Sequence, residues 1–293
     1  MSEPSLPPSL PGPPPAASPG ERPELLIEPG RAAAHYWRDL WAFRELLFFL
    51  GWRDIAVRYK QAALGAAWAV VQPLVTMVVG TFLFSTIAHM SSGNVPYPML
   101  VLAGLLPWQL FSSALSGASG SLVSNTNLIS KIYFPRMVVP LSSLGVAIAD
   151  FLVTLVLYVA FAVGYGVWPT WHILVLPLFI LIAMAIALGS GLWLCALTVK
   201  YRDFRFLVPF MLQFGIFATP VLYRTDNLHE WSRTLLKFNP LTGVIAGFRW
   251  SLLGTAFALD PPELAISILG AAILLASGAW YFRKTERLFA DII

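Results

Sequence analysis

A single carboxylate, Asp150, lies deep inside a long apolar stretch of this sequence. Holding it ionised in hydrocarbon costs about 2.5 to 3.5 kcal/mol on an insertion scale, so it is expected to face protein or water, or to stay protonated. Two readings follow: Asp150 lines a polar path or ties helices together across a dimer, or it pairs with a neighbouring helix for assembly alone. Other reactive groups are sparse. No G-x-x-x-x-G-K-[ST] occurs, so no P-loop can cradle a nucleotide phosphate on this chain, and there is no G-x-S-x-G. The histidines His35, His89, His172 and His229 stand apart without metal-ligand spacing, and Cys195 is the sole cysteine, so no metal site is expected. With Asp150, Asp203 and a few outer acids as its only carboxylates of note, an integral-membrane glycosyl or acyl transferase would have little general acid or base to use.

The framework around these groups explains their scarcity. Of 293 residues, 57% are hydrophobic and 12% charged, against about 25% charged in soluble domains, which excludes a soluble globule. A bilayer core about 30 Å thick needs about 20 apolar helical residues, because a helix satisfies its own backbone in lipid. Six segments qualify: 64–87, 98–123, 137–167, 173–199, 206–222 and 264–282. The fifth is the shortest and contains Pro209 and Pro220, the latter expected to end or kink it. Residues 1–34, with ten prolines in the first thirty, read as a disordered cytoplasmic tail. Residues 35–62 form an amphipathic segment, and 63–293 the transmembrane domain.

Orientation follows from the 19 Lys and Arg. Fifteen fall before the first span or after spans two, four and six, and four fall in the loop after span five. The positive-inside rule puts the fifteen, and both ends of the chain, in the cytoplasm. The net charge of +4 then reflects topology, and no nucleic-acid partner is expected.

Between His35 and Lys60, Trp37, Trp41, Phe48, Trp52, Ile55 and Tyr59 fall near one helical face and Arg38, Glu45, Arg53 and Lys60 near another. This predicts a helix in the cytoplasmic interface, broken at Gly51. The 223–263 loop is too long for a turn. Its apolar 245–253 stretch predicts interfacial or re-entrant helices entered at Asn239-Pro240, or else a plain outer loop. Small residues four apart, at Ser116 and Gly120, Gly145 and Ala149, and Ala185 and Gly189, favour close helix approach. Trp108, Tyr165, Trp168, Trp171, Tyr201 and Tyr223 read as an interfacial belt. Phe82, Phe84, Phe111, Tyr158, Phe161, Phe210, Phe214 and Phe217 lie within spans, where aromatic faces suit sugar rings and also lipid or core packing.

Several stretches together resemble a known family. Arg53-Asp54-Ile55-Ala56-Val57-Arg58-Tyr59-Lys60-Gln61, continuing through Leu64-Gly65 and Trp68 to Gln72-Pro73-Leu74, is similar to the entry to the first span of type-2 ABC exporter permeases for polysaccharides. Lys131-Ile132-Tyr133-Phe134-Pro135-Arg136 resembles their second cytoplasmic signature. Tyr201-Arg202-Asp203, Thr219-Pro220-Val221, Asn239-Pro240, Gly247-Phe248-Arg249-Trp250, Glu286-Arg287 and Phe289-Ala290-Asp291 follow in the family's order. The likeness runs from about Tyr36 to the end; the Pro-rich head departs from it.

The resemblance implies an all-α membrane protein of six transmembrane helices, with an N-terminal amphipathic interfacial helix and short outer re-entrant helices between spans five and six. It implies a homodimer in the bacterial inner membrane, bound to two cytoplasmic subunits that carry ATP and Mg, with no cofactor on this chain. The cargo would be a lipid-linked polysaccharide such as O-antigen, capsule or teichoic acid; a drug or small lipid is the alternative within transport. Leu128, Lys131, Ile132, Tyr133, Phe134, Pro135 and Arg136 would couple to the ATPase. Arg53, Arg58, Tyr59 and Lys60 would form a gate that meets lipid headgroups or the substrate's pyrophosphate. Phe82, Phe84, Phe111, Asp150, Tyr158, Phe210, Phe214 and Phe217 are candidates for the channel lining, and Asn239, Pro240, Phe248, Arg249 and Trp250 for the outer gate.

Overall fold

The structure is a computed structural model that describes residues 32–60, 65–168, 170–254, 257–286 and 289. Nearly all of the expected Pro-rich tail, together with Gln61, Leu64, Arg287, Ala290 and Asp291 of the family-like stretches, lies outside the described residues. The elements in order are α1 (Ala32–Ala42), α2 (Arg44–Lys60), α3 (Gly65–Thr81) running on as a π-helical turn (Phe82–Ile87), α4 (Tyr97–Ser124), α5 (Thr126–Ile129), α6 (Val138–Ser142), α7 (Leu144–Tyr165), a 3-10 turn (Trp171–Val175), α8 (Leu176–Lys200), α9 (Phe204–Gly215), a 3-10 turn (Thr225–Asn227), α10 (Glu230–Lys237), α11 (Pro240–Leu253) and α12 (Pro261–Thr285). Among the described residues the fold is all helical.

Five stretches are long and apolar enough to cross a membrane: Ala67–Ile87, Tyr97–Ser124, Val138–Tyr165, Trp171–Lys200 and Pro261–Thr285. They match five of the six expected spans, the last longer by about a turn at each end. The fifth expected span, 206–222, differs. Its helix, α9, ends at Gly215 after 12 residues, about 18 Å of rise, and the chain continues to Tyr223 as irregular turns. Pro220 has no N–H to extend a helix, and the carbonyls beyond it find side-chain donors instead.

α4 is the central helix: it packs on α3, α7, α8 and α11, while α8 also carries α12. Of the small-residue pairs, Gly189 is where α8 meets α12, a Cβ there falling 2.4 Å from the Leu274 backbone. Gly145 faces Gly51 of α2, and Gly120 looks into open space. The expected break at Gly51 is absent. That residue is buried inside α2, and the interruption comes instead at Phe43, between α1 and α2. Backbone proximity to α6, through the Ser142 carbonyl, and to α7, through Gly145, is what Gly51 serves. Two apolar cores result, one through the bundle around Leu106, Phe179 and Phe248, and one at one end around Leu50, Leu122, Phe134 and Phe282. We call the latter the inner end, after the charge-based expectation.

The expected belt residues divide by exposure. Tyr165, Trp168, Trp171 and Tyr201 are exposed, whereas Trp108 and Tyr223 are buried. Trp108 packs against Phe111 at 5.7 Å and lies over Gly215; Tyr223 donates its hydroxyl to the Phe217 carbonyl at 2.9 Å. Both polar tips and ring faces are used inside the protein.

Candidate functional site

A cavity of about 960 Å³ opens between α2, α3, α4 and α9. Its main wall is a polar stripe on α4: Gln109, Ser112, Ser113, Ser116 and Ser124 all line it, and offsets of three, four, seven and fifteen from Gln109 place them on one helical face. Gln72 and Thr76 of α3 and Gln213 of α9 complete a hydroxyl- and amide-rich surface, with Arg53 and Arg58 of α2 at its edge. Such groups exchange hydrogen bonds with a polar guest at little penalty, because each serine is both donor and acceptor. The stripe is legible in the sequence as serines at helical spacing within an apolar span.

Asp150 is 2% exposed and fully engaged within the chain. Tyr59 donates its hydroxyl to Oδ1 at 2.7 Å, Ser113 donates to Oδ2 at 2.8 Å, and an Nη of Arg58 meets Oδ2 at 2.8 Å. One carboxylate thus joins α2, α4 and α7. Burial, followed by the bond to Asp150, pushes the Tyr59 hydroxyl up to about 12, so it remains a donor at any physiological pH. Arg53 makes a second tie across the same cavity: it pairs with Asp54 at 2.7 Å and donates to Asn125 Oδ1 at 2.7 Å. Of the expected gate residues, Arg53, Arg58 and Tyr59 therefore lie at the cavity and its Asp150 node; Lys60 is exposed.

The other family-like stretches converge at two places. At the outer end Arg249 of α11 reaches the irregular segment after α9, donating from Nη2 to the Val221 carbonyl at 2.8 Å and from Nη1 to the Tyr223 carbonyl at 3.0 Å. Tyr97 donates to the Leu222 carbonyl between them at 2.9 Å. Three consecutive carbonyls that a helix would have satisfied are thus taken by side chains, the arrangement required where non-helical backbone is buried. Gly104 makes room, since a Cβ there would fall 2.3 Å from the Val221 oxygen. Asn239 caps α11 through Leu241 N–H at 3.0 Å and donates to Thr219 Oγ1 at 3.3 Å. Burial lowers the Arg249 pKa to about 10, which leaves it charged at neutral pH. Phe248 is wholly buried in an edge contact with Phe151, and Trp250 meets His172 at 4.3 Å.

At the inner end the Arg136 N–H donates to Glu286 Oε1 at 2.8 Å, and the Arg136 guanidinium to the Glu286 carbonyl. Burial holds the Glu286 carboxyl above its usual range. Arg283 lies over the Tyr36 ring at 4.7 Å, so the end of α12 touches both α1 and the 130–136 turn. Within that turn Tyr133 is 84% and Ile132 54% exposed, while Phe134 is 5% exposed in the inner core. Lys131 is exposed, and Leu128 packs partly on the same core. The three apolar residues expected to act together are divided: two project, one anchors.

The aromatic candidates lie elsewhere than the 960 Å³ cavity, whose one aromatic wall residue is Trp108. Phe82, Phe210, Phe214 and Phe217 are exposed on the chain's outside. Phe84 packs on Tyr223 at 5.7 Å; Phe111 and Tyr158 are buried in the bundle core, the latter donating to the Leu252 carbonyl at 3.2 Å. No group of three or more His, Cys, Asp or Glu suited to a metal occurs among the described residues.

Comparison with known proteins adds a family. Residues 45–253 match the model for the ABC-2 type transporter. The chain is 30% identical over 258 residues to the O-antigen export system permease protein RfbA of Myxococcus xanthus, covering 87% of this chain and 98% of that one. It is 29% identical over 253 residues to a Klebsiella pneumoniae protein of the same name, covering 85% and 95%. It is 23% identical over 201 residues to the polysialic acid transport protein KpsM of Escherichia coli, covering 66% and 75%.

Proposed function

This chain belongs to the ABC-2 type transporter family, and from that premise we propose that it is the permease subunit of an exporter moving a lipid-linked polysaccharide of the O-antigen class out of the cytoplasm. The observation that carries the reading is the serine- and glutamine-lined cavity inside an otherwise apolar bundle. A lipid or apolar drug would gain nothing from that lining, whereas a hydroxyl-rich chain exchanges hydrogen bonds with it along its length. The names of the relatives support the polysaccharide class.

In this reading the chain crosses the inner membrane six times, with α9 and the Arg249-clamped segment as the fifth crossing and α10 and α11 re-entering from outside. The Asp203 side of α9 lies next to the inner end of α8, and Leu222 lies beside Tyr97 at the opposite end of α4, which supports a crossing between them. Two copies pair, their exposed aromatic faces on α9 and α3 meeting lipid, each other or the passing polymer. Exposed Ile132 and Tyr133 dock on a separate ATP- and Mg-binding subunit. Phe134 ties that contact to the core, and Arg53, Arg58 and Tyr59 gate the cavity from the cytoplasm.

The test is ATP-driven movement of lipid-linked polysaccharide in proteoliposomes holding the chain and its ATP-binding subunit. Ser116→Trp, which fills the cavity from an exposed position, is expected to abolish movement without lowering the melting temperature. Undiminished export by that variant would refute the cavity as the path.

A further inference from the structure

A second cavity, of about 450 Å³, lies at the outer end between the segment after α9, α11 and the start of α12. Four cations line it, Arg224, Arg233, Lys237 and Arg249, against three carboxylates, Asp226, Asp260 and Glu263. Two pairs are closed: Arg224 with Asp226 at 2.6 Å and Lys237 with Asp260 at 2.9 Å. Arg249 has no carboxylate partner among the described residues. It is 4% exposed, two of its N–H groups serve the Val221 and Tyr223 carbonyls, and its Nε–H is buried with no acceptor. Arg233, half-buried, shares part of the pattern, with one Nη on the Asp226 carbonyl at 2.8 Å and a buried Nε–H without an acceptor. Even with Glu263 ionised, the cavity keeps one positive charge unbalanced.

Water can accept from an Nε–H, but it cannot neutralise a buried cation, and uncompensated buried charge is among the costliest features a fold can carry. Guanidinium groups present several N–H donors to oxyanions, and bonds to phosphate from such groups are short and strong. We infer that this outer cavity binds one phosphate-type oxyanion, held by Arg249 and Arg233. Arg249 then has two tasks, clamping the irregular segment with its Nη atoms and holding the anion with its remaining donors, so occupancy of the cavity and the shape of the segment after α9 are linked. The inference does not depend on which polymer the chain exports. The phosphate has two sources by chemistry, an outer-leaflet lipid headgroup or a group entering from solution or on the cargo.

The full chain in a neutral maltoside detergent tests this by thermal unfolding against inorganic phosphate and, separately, short-chain phosphatidylglycerol. A saturable rise in melting temperature is expected, and Arg233→Gln, which spares the carbonyl clamp, should weaken the apparent affinity about tenfold. Arg233→Lys, which keeps the charge, should retain most of it. A rise with phosphatidylglycerol alone assigns the headgroup; a rise with inorganic phosphate assigns a site open to soluble or carried phosphate. The absence of a saturable shift with both probes, or an identical shift in Arg233→Gln, would overturn the inference and leave Arg249 as a clamp only.

Discussion

The interior of the bundle and its outer end each bury a charged side chain, but they satisfy it in opposite ways. Asp150 is held by Tyr59, Ser113 and Arg58, side chains on two other helices. Arg249 is held by backbone carbonyls of one irregular segment. A side-chain node between separate helices can exchange its partners for water or substrate while every helix stays intact. A clamp on main-chain carbonyls cannot open without stranding them. The first arrangement suits a part that moves during transport, the second a part that must be built before transport begins.

Arg249→Met is the strongest way to break this contrast. It leaves the Val221 and Tyr223 carbonyls without their donors, at about 1 to 3 kcal/mol each, and should appear as a large fall in melting temperature or as loss of folded protein in detergent. A melting temperature unchanged from wild type would mean that the irregular segment is satisfied in another way. Next in size is Gly104→Val, whose side chain collides with the Val221 oxygen; overpacking of this kind costs about 1 to 3 kcal/mol, and equilibrium unfolding in denaturant reads it.

Asp150→Asn sharpens the interior half. It keeps one acceptor oxygen, turns the other into an NH2 donor that the Tyr59 or Ser113 hydroxyl must rotate to accept, and removes the attraction to Arg58, whose side chain is 51% exposed. Solvent screening limits the stability loss to about 1 kcal/mol, while export should fall much further, and a double-mutant cycle with Arg58→Gln isolates the pair. Folding and export both at wild-type level would remove any need for the charge. The smallest stability effect is expected for Tyr133→Ala, about 0.5 kcal/mol or less for so exposed a residue. Its consequence should be uncoupling, measured as ATP hydrolysis by the assembled exporter without polymer movement.

Hydropathy sufficed for five of the six expected spans because each is an apolar helical stretch long enough to cross a membrane, and a local pattern is all that such a stretch needs. The fifth expected span differs. Residues 206–222 are apolar enough to read as one helix, yet whether they stay helical past Gly215 depends on donors from Tyr97 and Arg249, which are remote in sequence. Gly51 illustrates the same limit: glycine in a helix signals a break or a close contact, and only the presence of α6 and α7 against it decides which. Phe134 and Tyr133 are adjacent and similar in character, so no local rule separates the buried from the exposed one.

By itself, the sequence determined that the chain is a helical membrane protein, which end carries the basic residues, and which family it resembles, since composition, span length and motif order are properties of the chain alone. The tertiary structure decided that Asp150 closes a three-helix node, that the cavity beside α4 is walled by serines and glutamines, and that Arg249 substitutes for a missing stretch of helix. Each of these is a meeting of residues far apart in the chain. Such meetings are set by how helices pack, which periodicity within one segment does not encode.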